Sequence, residues 1–150
     1  MRRKGWIIWA GVMALAAAAG AAPVIERVEH RVFETARASR DLLPSRLSSF
    51  DAAPAGAMTE KFFVDWRTGE GRLPAGVLVT FEFQMERSPR IRTLFIQYPF
   101  EVQGRRRATF EVAESVTRQG GRVEAWRVRV VHQGRRLAEK TSESWREAPR

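Results

Sequence analysis

The chain contains no cysteine. That excludes a disulfide framework, a thiolate metal site, a cysteine nucleophile and a lipid-modified cysteine at an export signal, so whatever folds here is held by packing alone. Histidine is nearly absent: His30 and His132 lie far apart among polar neighbours, and without cysteine they offer little toward a metal site. Lysine is scarce as well, because 23 of the 26 basic residues are arginine. Arginine keeps its charge at any working pH and offers a planar fork to carboxylates, phosphates and sulfates. Also missing are a G-x-S-x-G elbow, a glycine-rich phosphate loop and an H-E-x-x-H helix, the short motifs of hydrolase, nucleotide-binding and zinc-peptidase chemistry. No cofactor is expected.

What is present begins with an address. Arg2, Arg3 and Lys4 precede Gly5 to Ala22, 18 consecutive uncharged and mostly apolar positions, and Pro23 follows. This is the layout of a signal peptide, with Ala19, Gly20 and Ala21 supplying the small residues before a cut placed after Ala21. The competing reading is an uncleaved inner-membrane anchor, since the uncharged run extends to Ile25 and approaches the length needed to cross a bilayer. Either way the protein is expected to be exported to the periplasm or beyond, touching a membrane only through this segment. Without residues 1–21 the chain carries 23 cations and 17 anions, a net of +6.

The rest has room for one domain. Residues 59–146 read as short antiparallel strands. Val77, Val79, Phe81, Phe83 and Met85 alternate with Thr80, Glu82, Gln84 and Glu86, which gives one dry face and one wet one. Phe62, Val64 and Trp66 alternate similarly, as do Ala108, Phe110 and Val112, and Trp126, Val128 and Val130; Glu82, Glu111 and Arg127 are expected to face water. Ile91 to Tyr98 is apolar on both sides and reads as a central strand ended by Pro99. Turns are expected in Thr68–Gly76, at Ser88–Pro89, at Gly104, at Gly120–Gly121 and at Gln133–Gly134. Leu137 to Trp145 is polar, as suits a defended edge strand. Residues 22–58 divide into a first strand, Val24 to Phe33, and a long loop, Leu42 to Gly56. The four-residue spacing of Val24, Val28, Val32 and Ala36 also admits a helix, but a seventh strand would complete a sandwich. Residues 147–150 form a tail.

The candidate functional residues are mostly arginines. Arg87, Arg90 and Arg92 flank one turn, Arg105, Arg106 and Arg107 follow Gly104, and Arg135 and Arg136 follow the last hairpin. Should one end of the sandwich carry them, they form an anion-attracting rim; otherwise they are solvated surface charge. Trp145 is the candidate exposed aromatic, whereas Trp66 and Trp126 fall in phase with buried positions. No catalytic set is expected; Glu101, Glu114, Asp65 and His132 are the residues whose convergence in a pocket would argue for an enzyme, one acting on glycans.

The stretch VEAWRVRVVHQGRRLAEKTSESW, Val123 to Trp145, resembles the last hairpin of immunoglobulin-like β-sandwich domains in exported bacterial proteins. The resemblance spans about Glu60 to Trp145 and implies an all-β antiparallel sandwich of about seven strands behind a hydrophobic signal helix. Such modules serve adhesion, envelope assembly or scaffolding. With the export signal, the strand alternation and the lack of a convergent catalytic set, a non-enzymatic module that binds an envelope protein through a sheet edge or its loops is expected, and the arginine clusters make an anionic envelope polymer (lipopolysaccharide, acidic glycan or extracellular DNA) the alternative partner. The paired cysteines and tyrosine corner of antibody domains are absent, so no site residue is carried over.

Overall fold

A computed structural model describes residues 22–34 and 58–146. Within them the chain forms β1 (Val24–Glu34), β2 (Met58–Leu73), β3 (Val77–Met85), β4 (Ser88–Tyr98), β5 (Val102–Val112), α1 (Glu114–Gly120), β6 (Val123–His132) and β7 (Arg135–Thr141). Every ladder is antiparallel, in a three-stranded sheet ordered β1-β2-β5 and a four-stranded sheet ordered β4-β3-β6-β7. The fold is thus all-β and sandwich-like, with one short helix. Among the described residues no helix is long and apolar enough to cross a membrane. The expected signal segment, the Leu42–Gly56 loop and the tail lie outside the described residues.

The core follows from alternation. Val77, Val79, Phe81, Phe83 and Met85 of β3 are buried, as are Phe62, Val64 and Trp66 of β2 and Ala108, Phe110 and Val112 of β5. Side chains two apart share a face, so these ranks meet between the sheets. There the Phe81 ring lies 4.6 Å from Phe62 and 5.3 Å from Phe110. Val24–Phe33 is a strand: Val28, in the rank facing the core, packs against it, and the β-branched side chains suit the pleat better than a helix. Trp126 belongs to the inward rank, directly opposite Phe83, yet is only half-buried.

Several expectations are corrected. Ile91–Tyr98 is not central, since among the described residues β4 is an edge strand with β3 as its one ladder partner. Leu94, Ile96 and Tyr98 pack on the core while Phe95, on the other face, is 66% exposed; a run apolar on both sides was thus no sign of burial on both. The glycines of Thr68–Gly76 do not make one open turn. β2 runs on to Leu73 with an irregularity between Arg67 and Arg72, Gly69 and Gly71 take positive φ, and Thr68 Oγ1 donates to the Gly71 carbonyl and accepts from the Gly104 amide. Gly104 therefore lies inside β5, at the matching break in its ladder, and closes no turn. The last strand stops at Thr141. Finally, Glu114–Gly120 is a helix, with the Glu114–Arg118 pair four residues apart and Gly121 at φ 80° behind it.

The wet-face expectation fails at one place. On the outer face of the four-stranded sheet, Glu82 and Arg127 form an ion pair at 2.5 Å with side chains only 15% and 10% exposed. Chain beyond β7 folds back over them: Ser142 donates its amide to the Trp126 carbonyl, and the Trp145 ring lies 4.6 Å from the Arg127 guanidinium carbon. Trp145 is consequently half-buried, with its indole nitrogen inaccessible, and is not an exposed aromatic.

Candidate anion-binding face

The connections fix two ends of the sandwich. The β2–β3 and β4–β5 links and the Gln133–Gly134 hairpin lie at one end, which we call the lower; the β3–β4 hairpin and α1 lie at the upper. Arg87, Arg90 and Arg92 are at the upper end, where the Arg87 amide donates to the Gly120 carbonyl. Arg92 stands opposite Phe83 in the inward rank, with its Nε buried and without a hydrogen-bond partner. Arg135 and Arg136 are at the lower end on the four-stranded sheet, where Arg136 contacts Glu139 at 3.2 Å. Arg105, Arg106 and Arg107 lie on β5, in the other sheet. The eight arginines therefore form no single rim.

One of the three clusters does assemble with other charges. Along the outer face of the three-stranded sheet, Asp65 of β2 stands between Arg27 of β1 and Arg107 of β5, Phe63 between Glu29 and Thr109, and Lys61 between Arg31 and Glu111. Six cations (Arg27, Arg31, Lys61, Arg67, Arg105, Arg107) meet four carboxylates (Glu26, Glu29, Asp65, Glu111) on this face. Phe63 lies between two guanidinium groups, Arg31 at 5.4 Å and Arg107 at 5.7 Å from its centroid, and Lys61 lies 5.4 Å from the Phe33 ring. Cations over aromatic faces are attracted by the ring quadrupole, which steadies this middle stretch.

Neutralisation is uneven along the face. Asp65 takes two hydrogen bonds from Arg107, at 2.7 and 2.9 Å, and a longer one from Arg27. The Arg107 hydrogen bond is the main reason its carboxyl is held below the usual range, and Arg107 is raised in turn. Glu29 holds Arg27 and Arg31, and Glu111 holds Lys61. Lower down, among the described residues, the one carboxylate of Glu26 serves both Arg67, at 3.2 Å, and Arg105, at 3.4 Å, while Arg105 remains 80% exposed. Arg106 stands across from the buried Trp66, but its side chain is exposed at the edge of β5 and donates to the Arg105 carbonyl. Glu26, Asp65, Arg105, Arg106 and Arg107 line a shallow groove of about 400 Å³. Geometry thus pairs every cation above the groove with Glu29, Asp65 or Glu111, and leaves Arg105 and Arg106 at the groove the most open to a ligand.

A second polar cluster was missed entirely from sequence. Glu60 is fully buried; its carboxylate accepts from the Val123 amide at 3.0 Å and lies 2.6 Å from His30 Nε2. The His30 ring stacks on Phe62 with centroids 4.3 Å apart. The signal was a glutamate in phase with Phe62, Val64 and Trp66. A buried carboxylate needs partners, and these two fasten the upper part of β1 to the core. The carboxylates and histidine whose convergence would have argued for an enzyme are dispersed: Asp65 on the arginine face, Glu101 beside Arg72, Glu114 on α1 beside Arg118, and His132 at the Ala75 carbonyl.

No family model matches the chain, and no curated protein does. Among solved structures it is similar to a protein of unknown function from Akkermansia muciniphila, with 17% identity and a TM-score of 0.49 over 83% of this chain and 71% of the other.

Proposed function

We propose that this protein is a non-enzymatic, exported binding module with an immunoglobulin-like strand arrangement, whose working surface is the outer face of the three-stranded sheet and whose partner is an anionic polymer of the cell envelope. The observation that carries it is the lower end of that face, where the single carboxylate of Glu26 serves Arg67 and Arg105 and the exposed Arg106 lines the same groove. Export is supported by Arg2, Arg3 and Lys4 ahead of the apolar run from Gly5 to Ala22. The immunoglobulin-like reading is supported by strand order: β1-β2-β5 facing β4-β3-β6-β7 corresponds to strands A-B-E facing C′-C-F-G.

Binding of guanidinium groups to phosphates or sulfates releases counterions, so affinity should fall steeply with salt. Changing Arg105 and Arg106 together to Ser should weaken binding to immobilised polyanion and flatten the logarithmic salt slope by about one for each arginine that no longer meets a phosphate. A wild-type protein that fails to bind at low salt, or a double variant with unchanged affinity and slope, would overturn the reading.

One observation favours a second reading. β4 is an 11-residue edge strand with an exposed Phe95, the kind of surface that accepts a partner strand through main-chain hydrogen bonds. An envelope protein bound there would protect β4 amides from hydrogen exchange, and Phe95→Lys would remove that protection while leaving polyanion affinity intact. Protection confined to other strands would rule this out.

A further inference from the structure

Resting on the anion-binding reading, we propose that the groove at Arg105 is a site for one tetrahedral oxyanion group, a phosphate or sulfate carried on a polymer, and that Glu26 occupies this site in the free protein. Arg67 and Arg105 stand directly opposite each other across the β2–β5 ladder. Like charges in that position repel and destabilise a sheet unless something lies between them. Glu26 does so with one oxygen to each guanidinium, Oε1 to Arg67 and Oε2 to Arg105.

Glu26 is there because of a backbone irregularity. The β1 register slips between Ile25 and Arg27, so Ile25 is buried while Glu26 and Arg27 both reach partners on the outer face. A bulge of this kind re-aims a side chain that regular alternation would send elsewhere. The Glu26 carbonyl accepts from Lys140 Nζ at 2.9 Å, which ties the bulge to β7 of the opposite sheet. The carboxylate is therefore delivered by a fixed main chain, as a tethered stand-in for a ligand.

The stand-in defines what can replace it. Glu26 brings one charge and two oxygens to a place where three guanidinium groups have donors to spare, counting Arg106 in the same groove. A free carboxylate offers no more than Glu26 already does and must compete with a tethered rival. A sulfate ester or a phosphate monoester presents three oxygens to the planar forks, and the phosphate monoester brings more charge as well. Arg107 is not part of this set, because Asp65 takes it at two points.

The test compares dextran phosphate, dextran sulfate and polygalacturonate, which carry phosphate monoesters, sulfate esters and carboxylates, against the wild type, Glu26→Gln and Glu111→Gln. Glu111 lies on the same face, paired with Lys61, so its variant makes the same charge change away from the groove. The wild type should bind dextran phosphate and dextran sulfate more tightly than polygalacturonate, and the ranking of the first two identifies phosphate or sulfate as the preferred group. Glu26→Gln should tighten binding about 5- to 10-fold, the equivalent of two surface ion pairs no longer to be broken, against less than about 2-fold for Glu111→Gln. It should also let polygalacturonate gain most, with melting temperature as the check on folding. Equal effects of the two variants, or none, would overturn the role of Glu26 while leaving the anion-binding reading standing. Failure of both wild type and Glu26→Gln to bind dextran phosphate or dextran sulfate at low salt would end both.

Discussion

Single residues separate what holds this fold from what decorates it. Phe81 touches Phe62, Phe83 and Phe110, so Phe81→Ala should cost about 3 to 5 kcal/mol in chemical denaturation, the usual range for a buried aromatic. Glu82 has a different standing from the wet-face residue that alternation alone implies. With Arg127 largely buried beneath Trp145, Glu82→Ala should cost about 2 kcal/mol, between an exposed and a buried ion pair, while Glu111→Ala should be nearly silent. Equal, negligible losses for both glutamates would mean that residues after β7 do not cover the sheet. Acid sensitivity belongs to the same scale. The hydrogen bond from Arg107 holds Asp65 below its ordinary value, and at Glu139, although burial works in the opposite direction, hydrogen bonds from Arg129 and Arg136 outweigh it. A carboxyl depressed in the folded state lends stability that is present above its unfolded pKa, near 4, and is lost as pH falls through the folded one. Melting temperature should therefore hold from neutrality to about pH 5 as far as these groups are concerned and decline below about pH 4. Asp65→Asn with Glu139→Gln should make that decline shallower; an unchanged profile would assign the acid loss elsewhere.

Elements were legible in proportion to how regular their alternation was. β3 could be read residue by residue because each odd position from Val77 to Met85 is apolar and lies inside. The same rule placed Phe62, Val64 and Trp66 correctly yet passed over Glu60, because alternation sorts by hydropathy and a buried carboxylate contradicts it until its partners, His30 and the Val123 amide, are seen. Edge or centre could not be read from β4, since burial on its outer face depends on what the chain lays over it. α1 is only seven residues, too short for periodicity to show, although Glu114, Arg118 and Gly121 were fair signs of a start, a pair and an end. Its last residue offers a prediction. A Cβ on Gly120 would lie 2.9 Å from Met85 Cγ and 3.0 Å from its Cβ, inside the core. Gly120→Ala should therefore lower stability by about 1 to 3 kcal/mol, and Gly120→Ala with Met85→Ala should cost less than the sum of the two single changes. Additive losses in the pair would show that α1 does not pack there as described.

At the scale of the whole molecule, two faces of one sandwich treat charge differently. Over the four-stranded sheet the Glu82–Arg127 pair is covered and serves stability, whereas over the three-stranded sheet the charges are open and unequal. Sequence supplied the arginine triplet but not its surroundings: Arg107 is taken at two points by Asp65 42 residues away, while Arg105 is touched by Glu26 at 3.4 Å through a bulge that no spacing announces and stays exposed. The central claim is that anions bind at the lower end of the three-stranded sheet and not at the other arginine clusters. Backbone amide NMR spectra during titration with short-chain dextran sulfate test it most directly. The account predicts shifts concentrated at Glu26, Arg67, Arg105 and Arg106, with the hairpins bearing Arg87–Arg92 and Arg135–Arg136 little moved. Shifts centred on either hairpin, or spread evenly over every arginine on the surface, would contradict it.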